Sequence, residues 1–500
     1  MMSASRVDAS NIDYYRDKYF FANLHMPGVW MGKGAVLLGL EGAVTQQPYE
    51  NLLLGFAPDG SKLIRNAGET DGWYGLDLPL GAPKSVSVQV PWFSDAEFQE
   101  FCEMHQDIAR MIVRTMEERV AVLRRGKEGV ERHRAGIAVG GFLQFDTREC
   151  DVHVHEHLVV MRPAFTGDGH SGAINQQEFF SAKMALGALY RAELASRLEH
   201  DWGMVPVRKD FGFEIQGVSE DVIRQSSKRR TQIEKSLADS GHSSAKASEI
   251  AALATRQAKE HVPLPQMMEE WRADLQEIGF GPEQAKSCLG HRITFVDSLE
   301  TRQQAALDIA LTRATEQKSH FTDLELIRYV AEEAQGRGLS AQHVLSTVDE
   351  ALALSPQVCR LGNIDHRPVY TTKELLALER EFLDDALAAQ LCTAHVIDKK
   401  YIQDWLDQIP QKELSAEQRN AITHITTKPG DVQVVVGLPG TGKTTMLQTA
   451  AAMYADSGKK VIGVALSGKA AVGLTAEAGI PSDTVARTLK TLREEREGRT

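Results

Sequence analysis

Three short stretches of the chain combine residue types and spacings that can do chemistry. Val152-His153-Val154-His155-Glu156-His157 sets imidazoles at alternate positions, so on a strand all three project from one face. His-x-His on a strand presents two imidazoles to a single cation. At a rise of ~3.3 Å per residue the α-carbons of His153 and His157 stand about 13 Å apart. Two adjacent histidines plus a donor from a neighbouring strand are therefore the easier ligand set. A second stretch, Gly437-Leu438-Pro439-Gly440-Thr441-Gly442-Lys443-Thr444-Thr445, follows the apolar run 432–436 and opens a helical segment at Met446. This is the strand, G-x-x-x-x-G-K-T, helix context of a phosphate loop. Backbone N–H groups close around phosphates there, Lys443 reaches the β- and γ-phosphates, Thr444 holds Mg²⁺, and the helix N-terminus adds partial positive charge. ATP with Mg²⁺ is the expected ligand. The third stretch, Asp13-Tyr14-Tyr15-Arg16-Asp17-Lys18-Tyr19, gathers phenols near the N-terminus; a phenol with a pKa of about 10 is a nucleophile only when activated.

These groups need elements to hold them. Residues 1–90 alternate short apolar runs with Gly and Pro, as in 34–40 and 85–90, and read as strands and turns. From Ser94 to about Arg125 the spacing of Phe98, Phe101, Ile108, Ile112, Met116, Val120 and Leu123 is helical. The runs 137–145 and 152–161 read as strands joined by the polar turn 146–151. If they pair as a hairpin, Gln144 sits near His153 and His155 on one face. Its amide oxygen is a harder, weaker donor than imidazole, which favours Mg²⁺ or Mn²⁺. A long helix over 176–200 follows, with Gly203 placed to stop it. The expected organisation is an α+β domain with an antiparallel sheet over 1–300, a helical connector over 301–410, and the start of an α/β RecA-like P-loop domain over 411–500.

The net charge of −12 argues against nucleic-acid binding as a global sum, but grooves act locally. Residues 110–134 carry eight Arg or Lys against four Asp or Glu, and Arg224, Lys228, Arg229 and Arg230 form a second basic cluster. The five cysteines are scattered with no C-x-x-C pair, which suits a reducing compartment. No apolar run approaches the ~20 residues that span a bilayer. A cytoplasmic protein without membrane insertion is expected.

Around the phosphate loop, residues 414–422 resemble the Gln motif of RecD-like superfamily-1 helicases, which implies that Gln418 reads adenine; 463–474 resemble the next motif. That family's acidic Mg²⁺ motif and arginine finger would lie beyond Thr500, so ATP binding without a helicase cycle is expected. The whole order of elements resembles the TrwC/TraI (MobF) family of conjugative relaxase–helicases. The matching stretches are 30–40, 58–60, 77–87, 146–160, 186–194, 229–230, 255–256 and 369–376. The resemblance implies an HUH-endonuclease-like fold that nicks an origin of transfer through a 5′-phosphotyrosyl link with a divalent metal. Tyr14 is then the first candidate nucleophile and Tyr15 the next. Asp77 stands where the family has an acid that orients a metal-binding histidine or assists deprotonation. Lys84 and Arg148 match positions near the site and are candidate DNA-phosphate contacts. The family's second tyrosine pair corresponds to Tyr19-Phe20-Phe21, leaving Tyr19 alone there. Its third metal-binding histidine falls at Gln144 or Phe145, so that Gln144 or His153 completes the set with His155 and His157. Implied partners are single-stranded and origin-of-transfer DNA, accessory relaxosome proteins and a type IV secretion coupling protein, with export to a recipient cell through that system. The alternative is a single-stranded-DNA-binding helicase or ATPase, or a transfer adaptor, whose nickase site has decayed.

Overall fold

The computed structural model describes the chain apart from residues 1, 14, 16–25, 70–71, 127–128, 148, 211, 228–261, 411 and 498–500. Tyr14, Tyr19, Arg148, Lys228 to Arg230, Thr255 and Arg256 thus lie outside the described residues. The chain divides into two compact units, Met1–Lys373 and Glu374–Thr500.

The first unit is built on an antiparallel sheet. Its strands are β1 (Ser5–Asp8), β2 (Val29–Met31), β3 (Trp73–Gly81), β6 (Gly136–Asp146) and β7 (Val152–Phe165), in the order β1-β3-β7-β6-β2. A small hairpin, β4 (Val122–Arg125) with β5 (Glu131–Arg134), precedes β6, and β8 (Ser171–Ala173) pairs with β7. The pair β9 (Pro206–Lys209) and β10 (Gly212–Ile215) follows. One face of the sheet carries Leu76, Leu78, Val154, Leu158 and Val160 into the main core, against α1 (Asp95–Arg119) and α2 (Gln176–Asp201). The other carries Phe142, Val159 and Met161 into a smaller core with Tyr15, Trp30 and Tyr49. Along β7 burial alternates up to His157 and is continuous from Leu158 onward. The histidine row therefore occupies the stretch of strand where the smaller core runs out.

Both expected long helices form. Ser94 and Glu97 close a capping box at the start of α1, and Asn175 caps α2. The 34–40 and 85–90 runs are not strands: Lys33–Leu37 and Lys84–Ser87 are short helices. At the first, Gly32 takes φ +92, and a Cβ on Gly34 would stand 2.6 Å from the Ile137 carbonyl carbon, so the chain crosses β6 in close contact. At the second, the alternating serines face inward rather than to water. Ser87 Oγ accepts from Val154 N–H at 3.1 Å, and Ser85 Oγ accepts from Ile215 N–H at 2.7 Å. The Ser/Val alternation that mimics a strand thus serves buried backbone groups.

The connector expected over 301–410 is divided at Lys373. Its first part, α3 (Leu299–Thr315), α4 (Asp323–Ala334) and α5 (Ala341–Leu354), shares the main core of the first unit through Leu307, Leu326, Val330 and Val348. It also contains a three-stranded sheet of β11 (Phe321–Thr322), β12 (Val358–Ile364) and β13 (Arg367–Thr372) that helical periodicity did not announce. Glu193 on α2 accepts from Ala341 N–H at 2.9 Å, and Arg119 pairs with Asp349 at 2.6 Å.

In the second unit, α6 (Ala416–Thr427) and α7 (Lys443–Asp456) enclose a core of Ile422, Met446, Ala450 and Met453. β14 (Gly463–Ala465) pairs in parallel with β15 (Ser482–Thr484). The strand expected over 432–436 is not formed, and Val434 and Val436 are 74% and 91% exposed. A strand exists only in a ladder, and among the described residues no segment lies in register beside it. No helix among the described residues is long and apolar enough to cross a membrane.

Candidate functional site

β7 is flanked on both sides. On β3, Asp77 stands opposite Val159, Pro79 opposite His157 and Gly81 opposite His155; on β6, Phe142 stands opposite His157 and Gln144 opposite His155. The three imidazoles form a row, with ring centroids 5.2 Å apart for His153 and His155 and 5.0 Å for His155 and His157. Gln144 shares their face, 5% exposed, whereas Phe145 turns into the main core against Phe98 at 5.1 Å. Of the two positions open in the sequence, 144 is the one beside the histidines.

The hydrogen bonds define the tautomers. His157 Nδ1 lies 2.8 and 3.0 Å from the Asp77 carboxylate oxygens, and His155 Nδ1 lies 2.9 Å from the His153 carbonyl. An ionised carboxylate and a carbonyl only accept, so Nδ1 carries the proton in both rings and the lone pair sits on Nε2. This is the outer arrangement that orients imidazoles toward a cation. Asp77, 4% exposed, also accepts from Tyr15 Oη at 2.9 Å. Tyr15, Asp77 and His157 thus form one continuous chain of hydrogen bonds. Tyr15 itself is 6% exposed and packed in the smaller core.

His153 stands apart in character. Burial, and then the charge of Lys84, push its pKa down to about 3, so it is a neutral imidazole. Its Nε2 borders Gly81, where an added Cβ would stand 3.4 Å away. Lys84 is half-buried and donates from Nζ to the Val152 carbonyl at 2.7 Å. Burial lowers its pKa to about 8 against the opposing pull of Asp151 and Glu214. It ties Lys84–Ser87 to the start of β7 instead of reaching out from an open surface. Among the described residues no group of three or more His, Cys, Asp or Glu is arranged to hold a metal ion. The donor set is two outward Nε2 atoms, with the amide of Gln144 and the ring of His153 as neighbours.

Sequence reasoning passed over a network beneath the row. Glu156, 1% exposed, lies 3.2 Å from His105 Nδ1, and His105 Nε2 lies 2.7 Å from Tyr190 Oη. It links β7 to α1 and α2 between the two histidines that face outward. A signal existed: Glu156 interrupts the otherwise apolar inward set Val152, Val154, Leu158, Val160.

In the second unit, Gly440 and Gly442 take φ +79 and +73, the left-handed turns that let the phosphate loop curl onto the start of α7. Lys443 Nζ donates to the carbonyls of Gly437 and Leu438 at 2.7 Å each. Thr441 Oγ1 donates to the Leu438 carbonyl at 2.8 Å. Thr444 and Thr445 open the helix. Gln418 is engaged twice: its Oε1 accepts from Ser415 N–H at 2.8 Å, and its Nε2 donates to the Thr441 and Gly442 carbonyls at 3.2 and 3.1 Å. The glutamine therefore fastens α6 to the phosphate loop.

An antiparallel sheet with a His-x-His strand, in one chain with a phosphate-loop unit, defines a histidine-strand relaxase fold joined to a P-loop module. Residues 3–278 match the family described as TrwC relaxase, and residues 413–500 match that described as AAA domain. The first match takes in more than half of the chain, which belongs to the TrwC relaxase family. The multifunctional conjugation protein TraI of Escherichia coli is 29% identical over 280 residues, 54% of this chain and 16% of that protein. A probable conjugal transfer protein TraA of Sinorhizobium fredii is 32% identical over 189 residues, 37% of this chain and 17% of that protein. A solved structure of the conjugative relaxase TrwC with oriT DNA and bound metal superposes with a TM-score of 0.51 at 29% identity, covering 56% of this chain and 99% of that one. The matched part of the chain spans about a sixth of the length of these curated relatives.

Proposed function

We propose that the relaxase part of this chain nicks one strand of an origin of transfer by tyrosine transesterification. A phenolic oxygen attacks the scissile phosphorus, the bond from phosphorus to the 3′ oxygen breaks, and that oxygen takes up a proton. The products are a 5′-phosphotyrosyl adduct and a free 3′-hydroxyl. One phosphoester replaces another, so the step consumes no ATP. The observation that carries this reading is the hydrogen-bonded chain Tyr15–Asp77–His157, which ties the tyrosine segment to the histidine row. Because Tyr15 is buried with its hydroxyl held by Asp77, it serves as a strut, and Tyr14 remains the first candidate nucleophile.

A divalent cation, Mg²⁺ or Mn²⁺, would be held by Nε2 of His155 and His157 with Gln144 as a third donor. When bound it would offset the charge that grows on the phosphate oxygens. Asp77 holds His157 in the tautomer that turns Nε2 outward, and Glu156 with His105 fixes the strand from beneath. The P-loop unit binds ATP with Mg²⁺ and belongs to the DNA-unwinding part of the protein. Origin DNA, relaxosome proteins and a secretion coupling protein are the partners this reading carries, with the cytoplasm as the site of nicking. One observation favours a second reading, a domain that binds the strand without cutting it: the described residues form no closed set of three or more charged or imidazole ligands.

The test is to incubate the chain with end-labelled single-stranded origin DNA and Mn²⁺. A covalent adduct on the 5′ phosphate, abolished by Tyr14→Phe, is expected. Tight binding with no adduct on any origin from the same replicon would favour the second reading.

A further inference from the structure

A cleft of ≈ 790 Å³, none of whose lining residues belongs to the histidine row, lies where the relaxase fold meets the layer of α4 and β11–β13. One wall comes from β4, β5 and the first three turns of α2; the other comes from Lys318, the start of α4 and the β12–β13 turn. Its lining carries five Arg or Lys against three Asp or Glu, in a chain whose net charge is −12. No Phe, Tyr or Trp among the described residues lines it.

The cations are crowded in a way that their own carboxylates do not resolve. Arg124 on β4 stands directly across the ladder from Arg132 on β5, and like charges so placed are destabilising. Arg132 and Arg367 both engage the single carboxylate of Glu178. Lys318 pairs with Glu325 at 2.5 Å and Arg328 with Glu332 at 2.8 Å. The Arg124 side chain makes no hydrogen bond or ion pair among the described residues and is exposed. The first turns of α2 and α4, helices of 26 and 12 residues, face the same space through Gln177 and Thr322 and add their partial positive charge.

We propose that this cleft binds the phosphodiester backbone of a DNA strand through Arg124, Lys318 and Arg367, as a second contact separate from the histidine row. A basic cleft without aromatic platforms holds phosphates and leaves bases unread. The cleft requires both walls, so it is a property of residues 1–373 together and not of the relaxase match alone. The inference rests on the reading of the chain as a DNA-handling relaxase, and its test separates the two.

The full chain is titrated with a long labelled oligothymidylate lacking any origin sequence, in chelator and without nucleotide, across a range of salt. Nicking of a short origin oligonucleotide is measured in parallel. Arg124→Ala removes a lining cation whose side chain makes no hydrogen bond or ion pair among the described residues. The slope of log affinity against log salt should fall by about 0.7, the contribution of one single-strand phosphate contact, while nicking of the short origin strand stays unchanged. Lys318→Ala, also on the rim, should weaken binding in the same direction without disturbing the paired arginines at Glu178. An unchanged slope in both variants overturns the proposal. So does displacement of inorganic pyrophosphate from the cleft with no change in oligothymidylate affinity, because the site would then take a free anion and not a strand. Loss of nicking in the wild-type chain, with the slope difference intact, would count against the nickase reading and leave the cleft standing.

Discussion

Replacing Asp77 with Asn removes one negative charge and nothing of its volume. In the folded chain that carboxylate accepts from His157 Nδ1 at 2.8 Å and from Tyr15 Oη at 2.9 Å, at 4% exposure. Asn offers one accepting oxygen where Asp offered two, and turns an N–H₂ group toward one of the donors. His157 then loses its charged acceptor, and with it the preference for carrying its proton on Nδ1 and its lone pair on Nε2. A hydrogen bond to a charged group is worth about 1.5–3 kcal/mol, and ~1.4 kcal/mol is a factor of ten in affinity. The expected loss of Mn²⁺ affinity is therefore roughly 10–100-fold, in line with the effect of losing a partner behind a metal-bound imidazole. Calorimetric Mn²⁺ titration of wild type and Asp77→Asn reads this directly. Adduct formation against metal concentration should show the midpoint moving to higher Mn²⁺, with partial recovery at saturation. Equal affinity in the two proteins would refute the idea that Asp77 acts through His157.

Other expectations follow from the same geometry. Gln144→His, which puts imidazole opposite His155, should tighten Mn²⁺ binding in calorimetry; no change would place position 144 outside the coordination sphere. Tyr15→Phe should lower stability by about 1.5–3 kcal/mol through the lost bond to Asp77, whereas Tyr14→Phe should abolish the adduct, so denaturant melts and adduct gels on both variants separate strut from nucleophile. Gly442→Ala forces a side chain into φ +73 against the Gln418 amide nitrogen, and should abolish ATP binding while leaving nicking of a short origin strand intact. Glu199 is 6% exposed, and burial raises its pKa to about 7. Between the ordinary carboxylate range and pH 7 the folded state holds the extra proton, so this group makes stability fall as pH rises through that window. Glu199→Gln should therefore stabilise the chain, by at most about 3 kcal/mol above pH 7 and not at all near pH 4, as read by melting at both pH values.

The histidine face was legible because strand periodicity is strict, but setting Gln144 opposite His155 also takes the bulge between Gln144 and Asp146, which the alternation of residues does not announce. Asp77 and Tyr15 were named by resemblance, but nothing in their spacing shows that a residue 62 positions away would donate to that carboxylate. The short helices at 33–37 and 84–87 were misread because small residues there serve tight backbone crossings and buried hydrogen bonds, which mimic polar alternation. The run 432–436 has the composition of a buried strand, yet composition supplies no ladder partner. The division at Lys373 was hidden because α3 to α5 look like a free-standing helical connector until α2 is seen to share their core.

The central claim is that a phenol and an imidazole-held cation meet at one phosphodiester, and the most direct measurement is a thio-substitution at that phosphate. With a single non-bridging oxygen replaced by sulfur, adduct formation in Mg²⁺ should slow for one stereoisomer and be restored by the softer Mn²⁺. Equal rates for the oxygen and sulfur strands of both isomers in both ions would mean that no cation touches the phosphate under attack.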